Sequence, residues 1–93
     1  MKMAITTWND RIAPVFDVAR NAYILNVTES TPTGETLSLP QAPFAKIDSL
    51  LQGGVEVLVC GAISRPLLRS AQGAGLRVVP FVSGSVDEVL EAW

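Results

Sequence analysis

The chain predicts a mixed α/β fold, and three observations carry that expectation. From Pro43 onward, helical periodicities alternate with short apolar runs rich in β-branched residues. Before Pro43, strand patterns follow one another with turn signals and no helix between them. Of the 93 residues, 48% are hydrophobic and 17% charged, which suits a globular core. One domain, residues 1–93, is expected. Its architecture is a mixed five-stranded sheet flanked by helices, in the order β-β-β-α-β-α-β-α.

Residues 3–7, MAITT, read as the first strand and 22–28, AYILNVT, as the second. STPTGET follows, a turn through Pro32 and Gly34. Residues 36–39, TLSL, alternate polar and apolar and form a short third strand antiparallel to the second. Its brevity and Pro40 place it at an edge. Phe44, Ile47, Leu50 and Leu51 share one face of a helix that begins at Pro43 and stops at Gly53–Gly54. Residues 55–60, VEVLVC, are a fourth strand covered on both faces. Ser64 reads as the N-cap of a second helix with Pro66 in its first turn, apolar contacts from Leu67, Leu68 and Ala71, and Gly73 or Gly75 at its end. Residues 76–82, LRVVPFV, form a fifth strand weakened by Pro80. Ser85 and Glu88 make a capping box for a last helix whose apolar face is Val86, Val89, Leu90 and Trp93. The β-α-β units of the second half must be parallel and right-handed, which puts the first strand in the centre beside the fourth.

Composition excludes several classes of function. A net charge of −2 offers no basic footprint for nucleic acid. The absence of histidine removes imidazole acid–base chemistry, histidine-based triads and imidazole metal sites. A single cysteine, Cys60, rules out an intramolecular disulfide and fits a reducing compartment. MKMAITTW turns polar too early for a signal-peptide core, and no apolar run approaches a membrane span. A soluble cytoplasmic protein without membrane contact is expected.

The connection WNDRIAPVFDVARNAY, residues 8–23, is far longer than a strand-to-strand turn requires. Its Val15–Phe16 pair reads as an anchor to the core. In an open α/β sheet, ligands bind beyond the carboxyl ends of the parallel strands. There this arm would meet the CGAISRP turn after the fourth strand. The free amides of the helix start at Ser64 attract anions, Gly61 lets the backbone approach a ligand closely, and Arg65, Arg11 and Arg20 supply positive charge. Plainer readings stand beside these. Arg11 can pair with Asp10 or Asp17 on the surface, and Arg65 with Arg69 can be a solvated helix face. Gly61 can be loop geometry, Cys60 a small core hydrophobe, the aspartates turn residues, and Trp8 and Trp93 packing residues.

RIAPVFDVARNAYIL resembles the R-[IV]-x-x-x-F-x-x-A-x-x-[FY]-x-[IL] signature of the dinitrogenase iron–molybdenum cofactor biosynthesis family, which includes NifX-like carriers and the C-terminal part of NifB-type proteins. VEVLVCGAISRPLLRSAQGAGLRVVPFVSGSVDEVLEAW is similar to its second half. The resemblance implies a ribonuclease H-like three-layer fold and the binding of anionic metal–sulfur clusters. It places Arg11, Phe16, Ala19 and Tyr23 at signature positions and Cys60, Gly61, Ala62 and Ile63 in the family's glycine turn. Asp17 stands where many members have glycine, and the histidines many members use for metal are absent.

The resulting expectation is a non-enzymatic carrier of an iron–molybdenum or other metal–sulfur cluster, linked to cofactor assembly or storage. Cofactor-binding candidates are Arg11, Phe16, Arg20, Cys60, Gly61, Ala62 and Arg65, with Cys60 the one candidate metal ligand. Partners would be the anionic cluster and cluster-assembly or acceptor proteins. The alternative is a regulatory or protein-interaction module without metal on the same fold. Nuclease chemistry needs several carboxylates at strand ends, and only Asp10 and Asp17 qualify.

Overall fold

A computed structural model describes residues 1–26 and 34–92. Pro32 of the expected turn, the end of the second strand at Val27 and Thr28, and Trp93 lie outside the described residues, whereas Gly34, expected in that turn, is already in a strand, paired with Leu25. The strands are β1 (Lys2–Trp8), β2 (Arg11–Ile12), β3 (Asn21–Asn26), β4 (Gly34–Ser38), β5 (Val55–Val59) and β6 (Arg77–Val79). The helices are α1 (Pro43–Gln52), α2 (Arg65–Gly73) and α3 (Val86–Ala92), with a 3₁₀ turn at Phe16–Val18.

The sheet runs β4-β3-β1-β5-β6, with β2 paired to β1. Pairings β1–β3 and β3–β4 are antiparallel, and β1–β5 and β5–β6 are parallel. β1 is thus central beside β5, as the sequence predicts. Alternation along β1 divides its side chains between two apolar layers. Ala4 joins the layer containing Ile47 and Leu50 of α1, Leu67 and Ala71 of α2, Leu58 and Phe16. Met3 and Ile5 join the layer with Val57, Val59 and Val89 of α3. The protein is therefore a sheet with helices on both faces.

The sheet has six strands among the described residues where five are expected, and other details also depart from the expectation. The arm after β1 is not all loop: it turns back at once as the hairpin strand β2, pairing Trp8 with Arg11 and Thr7 with Ile12. Asn9 and Asp10 have φ of 51° and 63°, the left-handed pair a two-residue hairpin turn needs. The fifth strand ends at Val79, because Pro80 donates no amide and Phe81 has φ of 62°. Phe44 is 53% exposed, and α1 buries Lys46 with Ile47 and Leu50 instead. Ser64 stands at the N-cap of α2 but makes no side-chain capping hydrogen bond among the described residues, whereas the Ser85–Glu88 pair forms as expected. The Ser85 hydroxyl donates to the Glu88 carboxylate at 3.0 Å, and the Glu88 amide donates to Ser85 Oγ at 3.2 Å.

Thr6 is fully buried in β1, and its hydroxyl has no hydrogen-bond partner among the described residues. A stranded buried hydroxyl costs about 1–3 kcal/mol, whereas an apolar group of the same shape costs nothing comparable. Thr6→Val should therefore raise stability by about 1 kcal/mol, read as a higher urea midpoint at unchanged slope. A lower midpoint would show that the hydroxyl has a bonding role.

Candidate functional site

The arm between β1 and β3 is fastened by its own sequence. Phe16 is fully buried and anchors it in the layer beneath α1 and α2. The Phe16 amide donates to the Ala62 carbonyl at 2.7 Å, and the Ala62 amide donates to the Pro14 carbonyl at 2.8 Å. Val15 and Ala62 form a parallel bridge. The arm thus lies directly along the turn that follows β5. Gly61 makes this possible, because a Cβ there would stand 2.5 Å from the carbonyl oxygens of both Ala13 and Pro14.

Two cavities flank this seam at the carboxyl ends of β1 and β5, and Pro14 lines both. The larger, of about 610 Å³, is walled by Trp8, Val15, Val18, Arg20 and Asn21. The smaller, of about 420 Å³, is walled by Arg11, Gly61, Ala62, Phe81 and Ser83. The structure therefore brings Arg11, Gly61 and Ala62 together, and puts Arg20 across the Pro14 ridge in the neighbouring cavity. Among the described residues, the guanidinium groups of Arg11 and Arg20 make no hydrogen bond or ion pair. The surface pairing of Arg11 with Asp10 or Asp17 is not formed.

Three of the other candidates stand elsewhere. Phe16 is fully buried in the core and lines neither cavity. Cys60 is also fully buried, and its thiol is pushed up to about 12, mainly by burial and further by the nearby Asp17 charge. A thiol held neutral in this way is a poor metal ligand, since the thiolate is what binds metal. Arg65 is exposed and lines neither cavity. The start of α2 is not open to a guest at Ser64, for the Ser64 amide donates to the Asp17 carboxylate at 3.0 Å. The chain's own aspartate supplies the anion there. No group of three or more histidine, cysteine or acidic side chains that could hold a metal ion occurs among the described residues.

Sequence reasoning read Trp8 as a packing residue, which its exposure overturns, and did not single out Lys46. Trp8 is 61% exposed and opens onto the larger cavity, with Val18 beside it at 73%. Its place immediately before a two-residue turn was the available signal, because side chains at a strand's end leave the sheet's cover. Lys46 is 2% exposed and donates from Nζ to the Asp17 carbonyl at 2.8 Å. Burial lowers its pKa below the ordinary 10.5; the Asp17 carboxylate opposes that shift and the Arg20 charge adds to it.

Comparison with known proteins bears on this geometry. The model of the Nitro_FeMo-Co family, dinitrogenase iron-molybdenum cofactor, matches residues 1–93. The chain belongs to that family. Among solved structures, PH0822 is similar at a TM-score of 0.91 and 18% identity, over 99% of this chain and 87% of that one. The apo form of the orange protein from Desulfovibrio gigas is similar at 0.81 and 20% identity, over 97% and 83%. A Thermotoga protein, TM1290, that carries NifB as a provisional name and is placed in the DUF35 family matches at 0.75 and 26% identity, over 98% and 84%. No curated protein matches the chain. The fold is thus a mixed α/β fold of a known kind, and the protein is a small relative of the iron–molybdenum cofactor proteins. Among the described residues, no helix is long and apolar enough to cross a membrane.

Proposed function

We propose that the protein binds and carries an anionic metal–sulfur cluster, such as an iron–molybdenum cofactor precursor, and is not an enzyme. The observation that carries this reading is the family match along the whole of residues 1–93. The chemistry of the paired cavities supports it. A sulfide-coated cluster is a large, soft and weakly hydrated anion. It gains from apolar walls, provided that a few fixed donors balance its charge. Trp8, Val15 and Val18 supply the walls, and Arg20 and Arg11 the charge. Holding would be electrostatic and by contact rather than by multiple ligation, because Cys60 is buried and no histidine exists.

Anaerobic incubation with tetrathiomolybdate, followed by gel filtration and metal analysis, tests this. Molybdenum should co-elute with the wild-type protein. Replacing both Arg11 and Arg20 by alanine should weaken retention at least about tenfold, since a hydrogen bond to a charged group is worth about 1.5–3 kcal/mol. No co-elution from the wild type would overturn the carrier reading. The second reading, a protein-interaction module, would then take its place, favoured by the exposure of Trp8 and Val18 on one side of the arm.

A further inference from the structure

We propose that Lys46 of α1, which lines neither cavity, is a positioning residue for the cluster site, its buried ammonium fixing the 3₁₀ turn that carries the cavity wall. The inference rests on the carrier reading, and it starts from an apparent waste. Lys46 is buried on α1 together with Ile47 and Leu50, at a position where an apolar side chain would ordinarily stand. Burying an ammonium there is costly, and one hydrogen bond offsets little of that cost. The lowered pKa agrees, since the surroundings do not compensate the charge in full. Packing therefore does not explain the lysine. Its reach does: Nζ donates to the carbonyl of Asp17, in the middle of the turn Phe16–Val18.

That turn is held from three directions. The Phe16 amide donates to Ala62 after β5, the Asp17 carboxylate accepts from the Ser64 amide at the start of α2, and Lys46 Nζ donates to the Asp17 carbonyl from α1. Val15, Val18 and Arg20, on either side of Asp17, are wall residues of the larger cavity. Removing the Lys46 tie leaves the other two and the Phe16 anchor, so the fold persists while the wall loses one fixed point. A residue that only stabilised the fold would move stability and binding in the same direction. A positioning residue separates them.

Lys46→Met keeps the length and the apolar volume and removes the donor. Its urea midpoint should equal or exceed that of the wild type, because apolar replacement of a buried charge is often neutral or stabilising. Amide exchange at Phe16 and Ala19 should quicken about tenfold, and tetrathiomolybdate should be retained about tenfold less tightly. Retention within twofold of wild type, with exchange unchanged, would overturn the proposal. Failure of both Lys46→Met and Lys46→Leu to fold would overturn it too, since the lysine would then be structural. If the wild type itself retains no tetrathiomolybdate, the carrier reading falls and the exchange rates alone decide: faster exchange in Lys46→Met upholds the tie to the arm, and unchanged exchange removes it.

Discussion

Gly61→Ala should cost the protein about 2 kcal/mol net, more than any single change at the exposed arginines. The methyl group would meet the carbonyl oxygens of Ala13 and Pro14 at 2.5 Å and the carbonyl carbon of Pro14 at 2.9 Å. All three are backbone atoms, and they cannot swing aside as a side chain does. The segment that bears them is tied on both sides, by Ala13 N–H to the Thr6 carbonyl at 2.9 Å and by Ala62 N–H to the Pro14 carbonyl at 2.8 Å. Overpacking of this kind costs about 1–3 kcal/mol, and rigid neighbours push it to the upper end. The entropy that alanine removes from the unfolded chain returns only about 0.4–1 kcal/mol. Gly73→Ala is the control. It lies in α2, where an added Cβ would meet no other described segment within 4 Å, so the same substitution should stabilise by up to about 1 kcal/mol. Urea denaturation of the two variants decides the matter. A Gly61→Ala midpoint no lower than that of Gly73→Ala would mean that the arm does not press on the turn after β5.

This contact shows where sequence reading succeeds and where it stops. The parallel half of the fold was legible because β-α-β units admit one handedness, and the patterns of VEVLVC and LRVVPFV are plain. The meeting of the arm with Gly61 followed from the same topology, since strand tips of adjacent parallel strands share a crevice. What the glycine is for was not legible. Its missing Cβ makes room for the arm's own backbone, and a sequence does not say whether the neighbour is ligand or chain. Asp17 is a similar case. A carboxylate in a polar loop reads as a turn residue, yet it bonds the amide of Ser64, 47 positions along the chain. Lys46 escaped because periodicity assigns lysine to water, and only the carbonyl above it reverses that. The hairpin at Asn9–Asp10 escaped because β2 is two residues long.

The largest pH effect should come from Cys60, and its sign follows from which state keeps the proton. In the unfolded chain the thiol titrates near its ordinary 9.0, whereas the folded protein holds it to about 12. Below pH 9 both states are protonated and the thiol adds no pH dependence. Between pH 9 and 12 the unfolded chain releases a proton that the folded one retains, so stability falls as pH rises, by about 1.4 kcal/mol per unit and at most about 4 kcal/mol in all. Lys46 acts the other way in part of that range. Its lowered pKa means that the unfolded chain keeps a proton the folded one has released, which adds stability as pH climbs toward 10.5 and nothing beyond. The two effects therefore oppose each other up to pH 10.5, and Cys60 acts alone above it. Cys60→Ala separates them. It should lose about 1 kcal/mol at neutral pH through the small cavity it leaves. From pH 9 upward that deficit should shrink and then reverse, so that the alanine variant is the more stable protein near pH 12. A native thiol of this kind should also resist alkylation at pH 8 until the protein is unfolded. Labelling of the folded protein at the rate of a free thiol, together with a wild-type stability curve parallel to that of Cys60→Ala from pH 9 to 12, would place the sulfur outside the core and restore it as a candidate ligand for the cluster.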